Sequence, residues 1–139
     1  MSSETPSVEH FNAIQEGTLP GVLGLNITAI CEDGVHATMA ITPAHMAPNG
    51  FLHAASIITL ADTCCGYGCM SRLPAGANGF TTIELKSNFL GTALEGSIEC
   101  HARPVHLGGT TQVWDATVTA KGKTLALFRC TQMVLRPKG

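Results

Sequence analysis

The stretch His53–Met70, HAASIITLADTCCGYGCM, decides the fold. It is rich in Ala, Ile and Leu, apolar on nearly every face, and longer than an ordinary strand. A helix that is apolar all round is a buried one, so this segment is expected to form the central helix of the domain. Gly66 and Gly68, with Tyr67 between them, lower helical propensity and predict a frayed end, although small residues also let a neighbouring backbone approach closely.

Downstream of the loop at 74–79, the segments Phe80–Leu90, Gly96–His106, Thr110–Ala120 and Lys123–Leu135 read as strands. Their separators, 92–95, 107–109 and 121–122, have hairpin length, which predicts one antiparallel meander of four strands. Upstream lies a loop, PAHMAPNGFL at 43–52, preceded by two strand-like runs, GVLGLNITAICEDG (21–34) and VHATMAIT (35–42). Leu23, Leu25, Ile27 and Ala29 alternate at period two, and Gly34 of the Glu32-Asp33-Gly34 turn supplies a positive φ. Before these, SVEHFNAIQE (7–16) has a Ser start and spaced apolar Val8, Phe11 and Ile14, a short amphipathic helix ended by Gly17 and Pro20 and expected to lie across the domain as a lid. The sum is an α+β domain in which a curved antiparallel sheet wraps one long central helix. Residues 1–139 read as a single domain, with 1–19 as an N-terminal tail and short helix.

Composition narrows the function classes. With 45% hydrophobic and 13% charged residues among 139, the chain can bury a core and is not disordered. Ten acidic against eight basic residues leave a net charge of −2, which gives no field to attract nucleic acid. The longest apolar run, Ala54–Cys69, is interrupted by Ser56, Thr59, Asp62 and Thr63, so no membrane span is expected. The opening MSSETPSVEHFN lacks a secretory signal, which predicts a cytoplasmic protein. The six cysteines include adjacent Cys64 and Cys65 and form no C-x2-C pair; reduced, buried thiols and no metal site are expected.

The most informative polar residue is Asp62, a carboxylate in the middle of the apolar helix. An unpaired charge in a core is costly, so it either turns outward, bonds nearby backbone, or serves chemistry. At the helix start, His53 follows Asn49-Gly50-Phe51-Leu52 at a point where backbone N–H groups are free and the helix dipole is positive. Such a place can hold a developing oxyanion. Ala54 and Asp62 are about 12 Å apart along one helix, at 1.5 Å per residue. One chain therefore cannot bring both to one carbon; cooperation requires two subunits related by a two-fold axis.

The stretch Asn49-Gly50-Phe51-Leu52-His53-Ala54-Ala55, followed by Leu60-Ala61-Asp62, resembles the G-x-x-H-G-G and downstream acid of the hot-dog-fold acyl-CoA thioesterases of the phenylacetate-pathway (PaaI) type, a group that includes the 4-hydroxybenzoyl-CoA thioesterases. The likeness covers about residues 20–136. It implies that Asp62 activates water or attacks the thioester itself, that the Ala54 N–H polarises the carbonyl with His53 supporting that end, and that Thr82 helps to hold the water. Two departures are visible: Ala54 and Ala55 stand where the family has glycines, and Ala47 stands where it often has Asn, leaving Asn49 as the available amide beside Gly50.

The resemblance also implies an acyl-CoA substrate carrying an aryl or short-to-medium acyl group. Its pantetheine would run along Lys86, Asn88 and Phe89, with phosphates near Gly108, Gly109 and Thr110. Lys86 or Arg103 could meet phosphate charge. A homodimer pairing into a homotetramer is implied, and no cofactor beyond the coenzyme in the substrate. No serine has the strand–turn–helix context of a nucleophile elbow. Two alternatives remain at this level: a hot-dog hydratase or dehydratase of enoyl or 3-hydroxyacyl thioesters, and a non-catalytic acyl-CoA binding module.

Overall fold

In the computed structural model, which describes residues 6–138, the elements run α1 (Val8–Ile14), α2 (Leu19–Val22), β1 (Leu25–Cys31), β2 (Gly34–Ala40), a 3-10 turn (Pro43–His45), α3 (Ala54–Ser71), β3 (Gly79–Phe89), β4 (Ser97–Leu107), β5 (Thr111–Ala120) and β6 (Lys123–Leu135). The six strands form one antiparallel sheet in the order β1-β2-β4-β5-β6-β3, and α3 lies against all six.

Helix α3 is central because its Ile57, Leu60, Ala61, Cys64, Cys65 and Cys69 are buried against the sheet. The facing side of β5 and β6 supplies Trp114, Ala116 and Val118, then Ala126, Phe128 and Cys130, every second residue as a pleated strand requires. The opposite face carries polar groups such as Asp115, whose carboxylate accepts two hydrogen bonds from Arg129 at 2.6 and 2.9 Å.

The helix does not fray at its glycines; it continues to Ser71. Gly66 and Gly68 are notches for distant aromatic rings. A Cβ on Gly66 would lie 2.9 Å from the Phe80 ring, and one on Gly68 would lie 2.4 Å from Trp114. Close packing here outweighs the helical propensity that the two glycines forgo.

Three further expectations need correction. The four C-terminal strands are not one sequential meander: β4, β5 and β6 are, but β3 crosses the domain to pair with β6, Gly79 opposite Leu135 and Phe89 opposite Ala126. The run from Gly21 does not begin as a strand, because Leu19–Val22 forms a helical turn with Pro20 in its first positions, where proline is favoured. Not all cysteines are buried: Cys31 is exposed, while Cys64, Cys65, Cys69, Cys100 and Cys130 are buried and unbridged. Among the described residues, no helix is long and apolar enough to cross a membrane.

Candidate active site

The loop before α3 is held by a buried histidine. His45 accepts the Thr42 N–H at Nδ1 (2.9 Å) and places Nε2 2.6 Å from the Leu23 carbonyl. Its own carbonyl receives the His53 N–H (2.9 Å) and the Ser56 hydroxyl (2.8 Å). Between these anchors Met46 bridges Leu52, Gly50 takes φ +88°, and the Asn49 side chain accepts the Phe51 N–H at 3.2 Å. Asn49 and Gly50 therefore shape the turn itself, and neither lines a cleft with Asp62.

At the helix start, His53 is the N-cap, and its Nδ1 accepts the Ala55 N–H at 2.9 Å. The Ser56 N–H is satisfied by the His53 carbonyl. Among the described residues the N–H of exposed Ala54 has no acceptor, which leaves a free donor at the positive end of an 18-residue helix. A shallow cleft of about 290 Å³ beside it is lined by Leu19, Leu23, Ala44, Met46, His53 and Thr59.

Asp62 opens into a different cleft, of about 270 Å³, whose walls include His10, Phe11, Ile14, Tyr67, Met70 and Phe80. One of its oxygens, Oδ1, is buried and has no hydrogen-bond partner among the described residues, while the residue as a whole stays partly accessible. Burial raises its carboxyl above the ordinary value. Helix α1 forms one wall because the Asn12 amide pairs with the Ile27 backbone at 3.0 and 2.9 Å, fixing α1 on β1. Phe11 is buried and stacks on Tyr67 at 4.2 Å, and the Tyr67 hydroxyl donates to Gln15 at 2.8 Å. The segment expected as a lid thus covers the Asp62 cleft as a fixed wall.

The clefts of Asp62 and His53 share no lining residue. Thr82, on β3, donates its hydroxyl to the buried Gln132 at 2.6 Å and does not line the Asp62 cleft. Lys86 and Asn88 lie with Arg103, Asp115 and Arg129 in a groove of about 340 Å³ on the sheet face away from α3, and Phe89 ends β3 half-exposed. The turn Gly108-Gly109-Thr110 is held by a 2.9 Å bond from Gly108 N–H to the Thr111 carbonyl and another from Arg136 to the Gly109 carbonyl. Through Met133, Thr111 is level with Thr81, so Lys86 stands roughly 17 Å away along the strand direction. Within one protomer the structure does not bring these two groups together.

Residues 49–127, the helix start, α3 and the strands through the beginning of β6, match the thioesterase superfamily. The chain belongs to that superfamily. Relatives agree over nearly the whole length: it is 29% identical to the 1,4-dihydroxy-2-naphthoyl-CoA hydrolase of Escherichia coli (strain K12) over 93% of this chain and 95% of that one. Two crystal structures are similar, a mutant thioesterase from Pseudomonas aeruginosa (TM-score 0.90, 28% identity, 95% and 96% of the two chains) and a thioesterase from Haemophilus influenzae (TM-score 0.89, 27%, 96% and 93%). The protein is a hydrolase of the hot-dog fold.

Sequence reasoning missed much of this thioesterase's Asp62 cleft. His10, Phe11, Tyr67 and Phe80 come from three elements far apart in sequence. The available signal was the spacing of Asp62, Gly66, Tyr67 and Met70, which puts them along one side of α3.

Proposed function

We propose that this thioesterase hydrolyses an acyl-CoA in a site shared by two copies of the chain, Asp62 acting from one and the Ala54 N–H from the other. The observation that carries the reading is a partly buried carboxylate, unpaired at one oxygen, facing an apolar cleft in a chain of this superfamily. The separate Asp62 and Ala54 clefts, about 12 Å apart along α3, support the two-subunit arrangement.

Asp62 takes a proton from water as the water oxygen bonds to the thioester carbon. The carbonyl electrons move to an oxyanion held by the Ala54 N–H, and its collapse breaks the C–S bond. The proton on Asp62 then neutralises the departing thiolate, leaving free acid and free coenzyme thiol. A thiolate is a good leaving group, so one carboxylate base and an oxyanion donor suffice without a cofactor. His53 serves as the cap that orients the donor end.

Phe11, Tyr67 and Phe80 around the cleft favour an aromatic acyl group, in keeping with the naphthoyl-CoA named for the Escherichia coli relative. The coenzyme is assigned to the free edge of β3 at Lys86, Asn88 and Phe89, where unpaired backbone groups can meet pantetheine amides. Contacts at Gly108, Gly109 and Thr110 would come from a different protomer, which accords with a dimer of dimers. Free, buried thiols suit a reducing cytoplasm.

The test is free-thiol release from acetyl-, hexanoyl-, palmitoyl-, benzoyl-, phenylacetyl- and 4-hydroxybenzoyl-CoA, with wild type beside Asp62→Asn. Release that depends on Asp62 and is fastest with an aryl substrate is expected. Equal turnover by the variant would remove Asp62 from the mechanism, and a fully active monomer would sink the shared site.

A further inference from the structure

We propose that the β1–β2 hairpin, together with the facing residue of β4, forms a binding site for a borderline-soft divalent cation of the zinc class, with Cys31, Asp33, His36 and His101 as donors. The site lies at the hairpin turn and on the outer sheet face, apart from both clefts of the proposed active site.

The donors are already gathered. The Cys31 sulfur, an Asp33 oxygen and a His36 nitrogen all lie within 4.8 Å of one another. His36 Nε2 is 3.2 and 3.3 Å from the two Asp33 oxygens, and His101 Nε2 is 3.5 Å from Oδ2. A tetrahedral zinc with bonds of about 2.0–2.3 Å holds its donors about 3.3–3.8 Å apart. The two His–Asp spacings already meet that requirement, and closing the site brings the Cys31 sulfur and the His101 ring toward the Asp33–His36 pair.

The scaffold fixes this gathering. His36 and His101 are directly opposed in the β2–β4 ladder, their rings stacked at 4.2 Å and 13° from parallel, with His101 Nε2 also 3.0 Å from the Asp33 carbonyl, so one imidazole tilts out of the stack for both in-plane lone pairs to reach one ion. Gly34 permits the approach of β4: it has φ +125°, and a Cβ there would sit 1.8 Å from the Ala102 carbonyl oxygen. From the end of α3, Arg72 donates to the Cys31 and Glu32 carbonyls at 2.9 and 2.7 Å, holding the turn while its charge is spent on backbone. Arg103, the next outward residue on β4, is turned toward the Thr117 hydroxyl at 3.2 Å.

The donor chemistry selects the ion. One thiolate, two imidazoles and one carboxylate suit zinc or cobalt, whereas calcium and magnesium call for oxygen donors throughout. Binding exchanges waters on the ion for the four donors, and the Cys31 thiol proton is released to solvent. The spacing Cys31-x-Asp33-x-x-His36 has no C-x2-C pair, and its fourth donor comes from a remote strand, so no motif in the sequence marks it.

The test is titration of chelator-stripped, fully reduced protein with Co²⁺ alone, read by the thiolate-to-cobalt charge-transfer absorption, followed by displacement with Zn²⁺. One equivalent is expected to bind with that absorption, which Cys31→Ser abolishes. His36→Gln and His101→Gln should each weaken binding by about 10-fold or more. All three substitutions are at accessible side chains, and circular dichroism melts confirm that the variants are folded. Absence of a charge-transfer band, or a band that survives Cys31→Ser, overturns the proposal.

Discussion

Replacing Asp62 by Asn separates what the carboxylate does for turnover from what it does to the fold. Its Oδ1 is buried without a partner among the described residues, and burial raises its pKa from the usual 3.8. A carboxyl whose pKa rises on folding binds its proton more tightly in the folded state. Its favourable contribution is complete below pH 3.8 and is lost as pH climbs through the higher folded value. At neutral pH the ionised group therefore opposes folding, and Asn removes the charge while keeping the shape. A buried polar group without a partner costs about 1–3 kcal/mol. The amide retains part of that, and water reaches Asp62, so the expected gain is smaller, about 0.5–1 kcal/mol. In a chain of this size that is a rise in Tm of roughly 2–4 °C. The same change should lower kcat by about 10²–10⁴-fold, or about 3–5 kcal/mol of transition-state stabilisation. Thermal melts at pH 7 and below pH 3.8, run beside a free-thiol assay, check both halves. A lower Tm at pH 7 would refute the reasoning, because it would mean that the carboxylate has a stabilising partner.

Ala54→Pro deletes the proposed oxyanion donor at the first helical position, where proline is tolerated, and His53 already has the extended backbone (φ −67°, ψ 134°) that precedes proline. It should cut kcat by about 10²–10³-fold with little change in Tm, and full activity would exclude that N–H from catalysis. Gly68→Ala drives a methyl into Trp114 and should destabilise by about 1–3 kcal/mol in urea unfolding; an unchanged midpoint would show that the helix can shift away from the ring. A chromophoric disulfide reagent should titrate one thiol rapidly in the folded, metal-free protein, that of exposed Cys31, since Cys69 is buried and pushed up to about 12 by desolvation. Rapid reaction of two or more thiols would contradict the burial described.

What the sequence disclosed and what it hid follow from the range of the forces involved. Helix α3 was legible because apolar character on every side has one cheap solution, burial, and Asp62 stood out against that background. The β1–β2 turn was legible because Gly34 supplies a local conformation that other residues resist. The placement of β3 beside β6 was not, because the connection at 90–96 has the length of a hairpin and nothing local distinguishes a crossing from a turn. The glycines of α3 misled for a related reason: their use depends on Phe80 and Trp114, which only the tertiary arrangement brings near. The candidate site divides the same way, with its helix-borne groups visible and the aromatic walls from α1 and β3 hidden.

The insertion of β6 between β5 and β3 sets an order on synthesis and folding. β3 is made before β4, β5 and β6, yet its hydrogen-bond partner is the last of these four to be made. Until then its Ile83, Leu85 and Phe89, half-exposed even in the finished fold, travel on an unpaired strand, a state prone to association with other chains. Sheet completion consequently waits for β6, with a long loop to close, and a nascent chain halted within β6 holds β3 without a partner.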